Sequence, residues 1–271
     1  MLVSIITITF NSEKHLEQTI QSVIGQDYPD IEYIIVDGGS TDGTLDIIKK
    51  YEKKIAKWVS EPDKGIADAM NKGIRMASGE IVGIIHSDDY YEPGAISAAV
   101  KAFAEAPGIG VVHGDLRMLN VDGGASYIVS PPKNPASSAW EIPVLHSTVF
   151  VRKAIYDRHG VFDLSYRIAM DHDLFLRYIK NGVKFHYINR VIAAMRLGGL
   201  SYRQQNECVR EKKRLALHYG YNRLGVYGGY LYRISFIPFE QKAGLFLRKT
   251  GFSFIAKLYR RIFYPGVPKE F

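Results

Sequence analysis

Two stretches of this chain place carboxylates just past strongly apolar runs. Asp37-Gly38-Gly39-Ser40-Thr41-Asp42-Gly43-Thr44 follows Ile34-Ile35-Val36, and His86-Ser87-Asp88-Asp89 follows Ile81-Val82-Gly83-Ile84-Ile85. In an open α/β sheet, the rim at the carboxyl ends of the strands is where ligands bind. Asp37 there can accept from a nucleobase N–H or a ribose hydroxyl. The glycines after it, Gly39 among them, let a ligand come close to the backbone. Asp88 and Asp89 suit a hard divalent cation such as Mg²⁺ or Mn²⁺, with diphosphate oxygens completing the shell. Taken singly, each stretch is also an ordinary acidic turn that caps the next helix, and Asp42 fits that role as well. Together they point to a nucleotide and a divalent cation held side by side.

Such residues need strands to carry them, and the first hundred residues supply these. Apolar runs at Leu2–Thr9, Ile31–Val36, Lys57–Ser60 and Glu80–Ile85 alternate with helical patterns at 13–24, 44–54 and 66–77, and Pro93 starts another helix. This alternation predicts a parallel sheet with helices on both faces. The first strand ends in Thr7-Ile8-Thr9-Phe10-Asn11-Ser12. The backbone N–H groups of the helix after it suit a base or phosphate, with Thr7 and Asn11 as contacts, while Asn11 or Ser12 also serves as a plain N-cap.

The pattern then loosens. Strands are expected at 110–119 and 125–129, joined by a hairpin turn at Val121-Asp122-Gly123-Gly124. A proline-rich loop follows at 131–135, then a strand at 149–152, a helix at 171–180 closed by Gly182, and a strand at 183–188.

The combination resembles family 2 glycosyltransferases of bacterial type, which have the GT-A fold. Asp37–Thr44 is similar to that family's acidic turn, and Ser60-Glu61-Pro62-Asp63-Lys64-Gly65-Ile66-Ala67-Asp68-Ala69-Met70-Asn71-Lys72-Gly73 to a stretch of its bacterial members. Ser87-Asp88-Asp89 stands in for its DxD metal motif and Met170-Asp171-His172-Asp173 for its ED-type motif. Ser87 and Met170 stand where acids are usual. The resemblance covers residues 1 to about 200. It implies an α/β fold, a GT-A Rossmann-like mixed sheet flanked by helices, and transfer of a sugar from a nucleotide-diphosphate sugar donor to an acceptor hydroxyl with inversion. It also implies that Asp89 holds Mg²⁺ or Mn²⁺, that Asp88 lies near the ribose or donor sugar, and that Asp68 and Lys72 face the nucleotide and diphosphate. At i,i+4, Asp68 and Lys72 are equally a surface ion pair.

Asp171 is the expected catalytic base. Position alone would make it an N-cap, and His172 is an alternative base whose side chain points about 100° away around the helix. His146 either approaches the diphosphate or is a buried histidine satisfied by backbone.

Charge divides the chain. Residues 1–200 carry 21 Lys and Arg against 24 Asp and Glu, and residues 201–271 carry 14 against 4. This sets a catalytic domain, 1–200, apart from a basic, aromatic, helical extension, 201–271. In the extension, Gly251–Tyr264 interleaves Phe252, Ile255, Tyr259, Ile262 and Phe263 with Lys257, Arg260 and Arg261. That pattern predicts an interfacial helix on an anionic membrane surface, or a helix packed on the catalytic domain with its basic side in solvent. The N-terminus reads as a first strand, without the basic region or cleavage site of a signal peptide. No uncharged apolar run approaches the roughly 18 residues of a membrane span. The expected location is cytoplasmic and peripheral at the inner face of the cell membrane, with a carbohydrate or lipid-linked acceptor.

Other classes fit less well. A phosphohydrolase of the hhhhDxD kind would need an acid at Gly39, and a nicotinamide-dependent dehydrogenase would need a glycine fingerprint after the first strand. No nucleic-acid partner is expected, because the acidic rim repels phosphate backbones. A membrane-associated scaffold with a degenerate nucleotide site is the non-catalytic alternative.

Overall fold

A computed structural model describes residues 1–120, 126–132, 140, 144–199 and 204–236. Among the described residues, nine strands form one mixed sheet: β1 (Val3–Thr9), β2 (Ile31–Asp37), β3 (Lys57–Ser60), β4 (Ile81–His86), β5 (Tyr90–Tyr91), β6 (Val111–Leu119), β7 (Ser126–Val129), β8 (Phe150–Arg152) and β9 (Phe185–Arg196). Their order is β3-β2-β1-β4-β8-β6-β9-β5, with β7 paired to β6. β3, β2, β1 and β4 run parallel, whereas β8 is antiparallel to both β4 and β6. β9 runs parallel to β6 and antiparallel to β5.

β1 is buried at every position because helices cover both sides of the sheet. On one side α1 (Leu16–Ile24) and α4 (Ala95–Glu105) bring Leu16, Ile20, Val23, Ile96 and Phe103 into a cluster with Ile5, Ile35, Ile81 and Ile85. On the other, α3 (Ile66–Met76) packs across β1 and β2. α3 comes so close that a Cβ on Gly73 would sit 2.3 Å from Ile6 Cγ2. Burying one Ile or Val contributes about 1.5–3 kcal/mol, more than the ~1 kcal/mol span of strand propensity. Burial therefore fixes these strands.

The remaining helices are α2 (Thr44–Lys50), α5 (Lys153–His159), α6 (Met170–Lys180), α7 (Gln205–His218) and α8 (Arg223–Leu231). Several differ from what the sequence predicts. α1 begins at Leu16, with no side-chain cap, because the Asn11 side chain is tied to the Thr41 N–H in the loop after β2 and Ser12 Oγ accepts from Ser87 Oγ. The predicted helix at 44–54 ends at Lys50, and a separate 3-10 turn covers Glu52–Lys54. α4 starts at Ala95 behind a left-handed Gly94 (φ 73°), not at Pro93. β9 runs on to Arg196, eight residues past the predicted end, because its second half pairs with β6 beyond a bulge. α5 and the two-residue β5 were not anticipated. β6 and β7 pair antiparallel as a hairpin requires. The predicted turn at 121–124, the loop residues 133–135 and the segment Gly251–Tyr264 lie outside the described residues.

The chain divides into two compact units, Met1–Glu211 and Lys212–Phe271. Within the second, Asn222 caps α8 by accepting from the Gly225 N–H at 3.1 Å, and α8 exposes Leu224, Tyr227 and Leu231. No helix among the described residues is long and apolar enough to cross a membrane.

Candidate active site

Strand register brings the acidic loops to one edge. Thr9 lies opposite Asp37, Asp37 opposite Ser60, and Ile8 opposite His86. Asp37 is fully buried and its carboxylate is occupied. Oδ2 accepts from the Gly39 N–H at 3.1 Å, the Ser40 N–H at 3.0 Å and Ser60 Oγ at 2.6 Å, and Ser40 Oγ donates to Oδ1 at 2.5 Å. The loop bends back in this way because Gly39 takes a left-handed φ of 83°.

A second set of bonds ties this loop to the one after β1. The Asn11 N–H donates to Ser40 Oγ at 2.8 Å, and Asn11 Oδ1 accepts from the Thr41 N–H at 2.9 Å. Asn11 itself has a left-handed φ of 47°, which asparagine tolerates. Asp42 accepts from the Thr44 N–H at 3.0 Å in the turn leading into α2, whose N-cap is Gly43 with no side-chain cap. Thr7 sits inside the sheet, fully buried, its hydroxyl hydrogen-bonded with Tyr33 Oη at 3.0 Å.

Next to the Asp37 loop, Asp68 Oδ2 accepts from the Lys64 N–H at 3.0 Å. Lys72 Nζ pairs with Glu61 at 2.9 Å and donates to the Pro62 carbonyl at 2.9 Å, but stands 3.9 Å from Asp68. The 61–62 turn thus holds Lys72 more closely than Asp68 does. The Asn71 amide is structural, bonded both ways to the backbone of Phe162.

At the end of β4, one atom each from His86, Asp88 and Asp89 lie within 4.8 Å of one another. Asp89 is 2% exposed. Its Oδ2 accepts from Ser147 Oγ at 2.8 Å and its Oδ1 from the Arg196 N–H at 3.2 Å. Burial first, and the Asp88 charge second, push the Asp89 carboxyl up to about 8, against the opposing bonds from Ser147 and Arg196. The Arg196 guanidinium donates to the Asp88 carbonyl and, at 2.5 Å, to Gln18 Oε1. Thr19 Oγ1 fixes the turn from beneath, donating to the Ser87 carbonyl at 2.9 Å and the Asp89 carbonyl at 2.6 Å.

His146 connects this corner to α6. Its ring lies 5.4 Å from that of His86 and 6.3 Å from that of Phe175. Burial, and then His86, lower its pKa to about 3, so it is neutral at physiological pH. Phe175 stands four residues after Asp171, on the same face of α6. Asp171 is partly exposed and accepts from the His172 N–H at 2.7 Å, whereas the His172 side chain is fully buried. Glu211 closes the amino end of this helix, accepting from the N–H groups of Arg167, Ile168 and Ala169 at 2.7, 2.9 and 2.8 Å.

The site therefore includes Ser60, His86, Ser147, Arg196 and Glu211, to which the sequence alone gives no role. His86 ends β4, and the turn after it, closed by the Asp89 N–H donating to the His86 carbonyl at 3.1 Å, brings Asp88 and Asp89 back beside it. The others are brought in by tertiary approach. For a divalent cation, the donor set fits: two carboxylates and an imidazole converge, Asp89 is buried as an acid, and His86 Nε2 is buried with no hydrogen-bond partner.

Known proteins are similar to this chain in sequence and in fold. An uncharacterised glycosyltransferase of Mycobacterium tuberculosis is 34% identical over 179 residues, 65% of this chain and 68% of that protein. A PGL/p-HBAD biosynthesis glycosyltransferase of Mycobacterium bovis is 29% identical, over 73% of this chain and 78% of that protein. Chondroitin synthase of Pasteurella multocida is 31% identical over 70% of this chain, which spans 20% of that longer protein. Among solved structures, S. aureus TarS has a TM-score of 0.63 at 23% identity over 86% of this chain, which spans 43% of TarS. Residues 1–349 of TarS with UDP-GlcNAc give 0.62 at 22% identity, covering 96% of this chain and 78% of that one. Mannosyltransferase PcManGT from Pyrobaculum calidifontis, with GDP-Man and Mn²⁺, gives 0.64 at 19% identity, covering 96% and 87%. These structural likenesses establish the GT-A fold. Residues 4–158 match the family described as glycosyl transferase family 2, and the chain belongs to that family.

Proposed function

We propose that this protein is an inverting glycosyltransferase that moves a sugar from a nucleotide-diphosphate sugar to an acceptor hydroxyl, in polysaccharide or glycolipid synthesis. The observation that carries this reading is the His86–Asp88–Asp89 cluster at the carboxyl end of a central parallel strand, next to the ordered Asp37 loop.

In this reading the nucleotide lies across the ends of β1, β2 and β4. Asp37 acts through its loop: with its carboxylate spent on Gly39, Ser40 and Ser60, it sets the backbone that meets the nucleotide. Gly39, Asn11, Asp68 and Lys72 line the nucleotide side, and Thr7 supports it from inside the sheet. Asp88 faces the ribose or donor sugar. His86, Asp88 and Asp89 would hold Mg²⁺ or Mn²⁺, which when bound supplies positive charge opposite the departing diphosphate. Asp171 takes the proton of the acceptor hydroxyl as that oxygen bonds to the anomeric carbon. The bond from that carbon to the diphosphate oxygen breaks with its electron pair leaving on the diphosphate, and attack from the opposite face inverts the configuration. Of the two candidate bases, the partly exposed Asp171 is reachable by an acceptor and the buried His172 is not.

The basic extension, with Leu224, Tyr227 and Leu231 exposed on α8, supports docking on an anionic membrane at the cytoplasmic face. A lipid-linked acceptor would follow.

The deciding experiment is a thermal-shift screen of UDP-, GDP- and dTDP-sugars with and without Mn²⁺. At 100 times its Kd, a ligand specific to the native state adds about 2.7 kcal/mol. Metal-dependent stabilisation by one nucleotide is expected. No response to any of them would favour the non-catalytic scaffold.

A further inference from the structure

We propose that Asp115 and Tyr187 form a subsite for the acceptor, which takes hydroxyls of a neutral sugar and rejects an acidic one. This rests on the reading of the protein as a glycosyltransferase, and it adds the chemistry of the group that receives the sugar.

The first observation is an underused carboxylate. Among the described residues, five carboxylates are buried: Glu32, Asp37, Asp89, Asp115 and Asp173. Lys57, Ser4 and Ser78 hold Glu32, and four donors hold Asp37. Arg177 pairs with Asp173 at 3.0 Å, and Asp89 accepts from Ser147 and Arg196. Asp115 accepts one bond, from the neutral Tyr187 Oη at 2.7 Å. A carboxylate has room for about four, and a buried charge left without partners is costly. No cation makes up the difference. Arg117, two residues on, is paired with Glu92 at 2.8 Å. His113, two residues before, is neutral, because burial first and His186 second bring its pKa down to about 4.

The second observation is where Asp115 stands. The 3-10 turn His146–Thr148 links it to the donor edge. Ser147 Oγ donates to Asp89 at 2.8 Å, and Thr148 Oγ1 donates to the carbonyl of Gly114, the residue before Asp115, at 3.1 Å. Rings set its level against α6: Phe175 lies 6.4 Å from Phe185, and Phe185 6.3 Å from His113. β9 runs parallel to β6, and α6, joined to β9 by residues 181–184 alone, runs back the other way. From these rings toward the carboxyl edge, Asp171 is four residues along α6 and Asp115 two along β6, about 6 Å in either case. The expected base and the underused carboxylate are thus at one level. Alternation along β6 puts Asp115 on the same face as His113, the side toward Phe185.

The third observation is Tyr187 itself. Its phenol is hydrogen-bonded with both Asp115 and Ser130, its ring stands 5.7 Å from that of His113, and the residue is still 41% exposed. It therefore offers an apolar ring face beside a polar corner. Neighbouring sugar hydroxyls can donate to the remaining lone pairs of Asp115 while the C–H face of the ring lies on Tyr187. A sugar bearing a carboxylate would bring a like charge against a desolvated one, which is strongly disfavoured.

The test uses the full chain with p-nitrophenyl β-glucoside, β-galactoside, α-mannoside and β-glucuronide as probes. Binding is followed by saturation-transfer NMR, with and without the nucleotide that the thermal-shift screen selects. At least one neutral glycoside is expected to bind about tenfold or more tighter than the glucuronide. Asp115→Asn, which keeps the size of the side chain, should weaken that glycoside about tenfold and bring the glucuronide level with it, without moving donor Kd. Tyr187→Phe should weaken the neutral glycoside but still reject the glucuronide. Three results would overturn the subsite: no neutral glycoside bound, equal binding of the glucuronide by wild type, or an Asp115→Asn loss that follows Tm and donor Kd while the neutral-to-acidic ratio stays put. Nucleotide binding without glycoside binding removes the subsite and leaves the transferase. Selective glycoside binding with no nucleotide bound does the reverse.

Discussion

The Glu211 carboxylate accepts the backbone N–H of Ala169 at 2.8 Å, immediately ahead of the helix that carries Asp171. The same carboxylate takes the N–H groups of Arg167 and Ile168. Ile168 and Ala169 are buried, and a carboxylate just ahead of the helix also meets the positive end of its dipole. Glu211 thus fixes where α6 begins, and with it the position of Asp171.

Glu211→Ala should lower kcat by about tenfold or more while leaving donor Kd nearly unchanged. Orphaning buried donors costs about 1–3 kcal/mol, so a lower Tm is expected as well. Glu211→Gln, which keeps one acceptor oxygen, should recover part of kcat. Steady-state kinetics beside donor titration reads this out. Equal losses in kcat and donor affinity would mean that Glu211 supports the whole fold and not the base.

Asp171→Asn should reduce transfer by about 10²–10⁴-fold, the usual contribution of a positioned base. Donor binding, measured calorimetrically, should stay within about twofold. A variant that kept most of its kcat would remove Asp171 from the chemistry.

Asp37→Asn keeps the size of the side chain but turns an acceptor-only group into one that is half donor. Four donors converge there, so a destabilisation of about 2 kcal/mol or more is expected from denaturant unfolding. Nucleotide affinity should fall with it, because the loop is no longer held.

Glu32 gives a pH signature. Burial alone would raise its pKa, but Lys57, Ser4 and Ser78 together bring the carboxyl down to about 2 from 4.5. A depressed acid stabilises the fold above its unfolded pKa, and the contribution fades as pH falls through the folded value. The stability gap between wild type and Glu32→Gln should therefore be full above about pH 4.5 and close as pH falls toward 2. Urea unfolding at stepped pH would show it, and a gap independent of pH would refute the ion-pair account.

Gly73→Ala tests how tightly α3 lies on β1. The added methyl would meet Ile6 at 2.3 Å, and overpacking of this kind costs about 1–3 kcal/mol. Pairing it with Ile6→Ala should recover part of the loss, since the obstructing atom is the Cγ2 branch methyl of that side chain, which alanine lacks.

How much of this was legible in advance depends on what positions each residue. The strands carrying Asp37 and Asp88–Asp89 were readable because burial on both faces gives them unbroken apolar runs. Asp42 as a turn residue was readable because its partner is two residues away. Asn11 was misleading: its composition says helix cap, yet its side chain serves a loop thirty residues on. Thr7 likewise looks like a rim residue until Tyr33 claims its hydroxyl. Ser147, Arg196 and Glu211 carry no local signal, because each reaches its partner across 42 or more positions of sequence.

The register across β2, β1 and β4 has a consequence for how this protein can change. Asp37 stands level with Thr9, and His86 level with Ile8 one residue before Thr9, because β1 is in register with both of its neighbours. A single codon gained or lost inside any of these strands would turn its terminal acid or imidazole to the opposite face. Length variation should therefore be absent from 3–9, 31–37 and 81–86 in a library of one-residue insertions and deletions selected for folding and metal binding. Survivors should gather instead in exposed turns such as 52–54. The donor side of this enzyme can be retuned by exchanging side chains, but its frame cannot be lengthened or shortened.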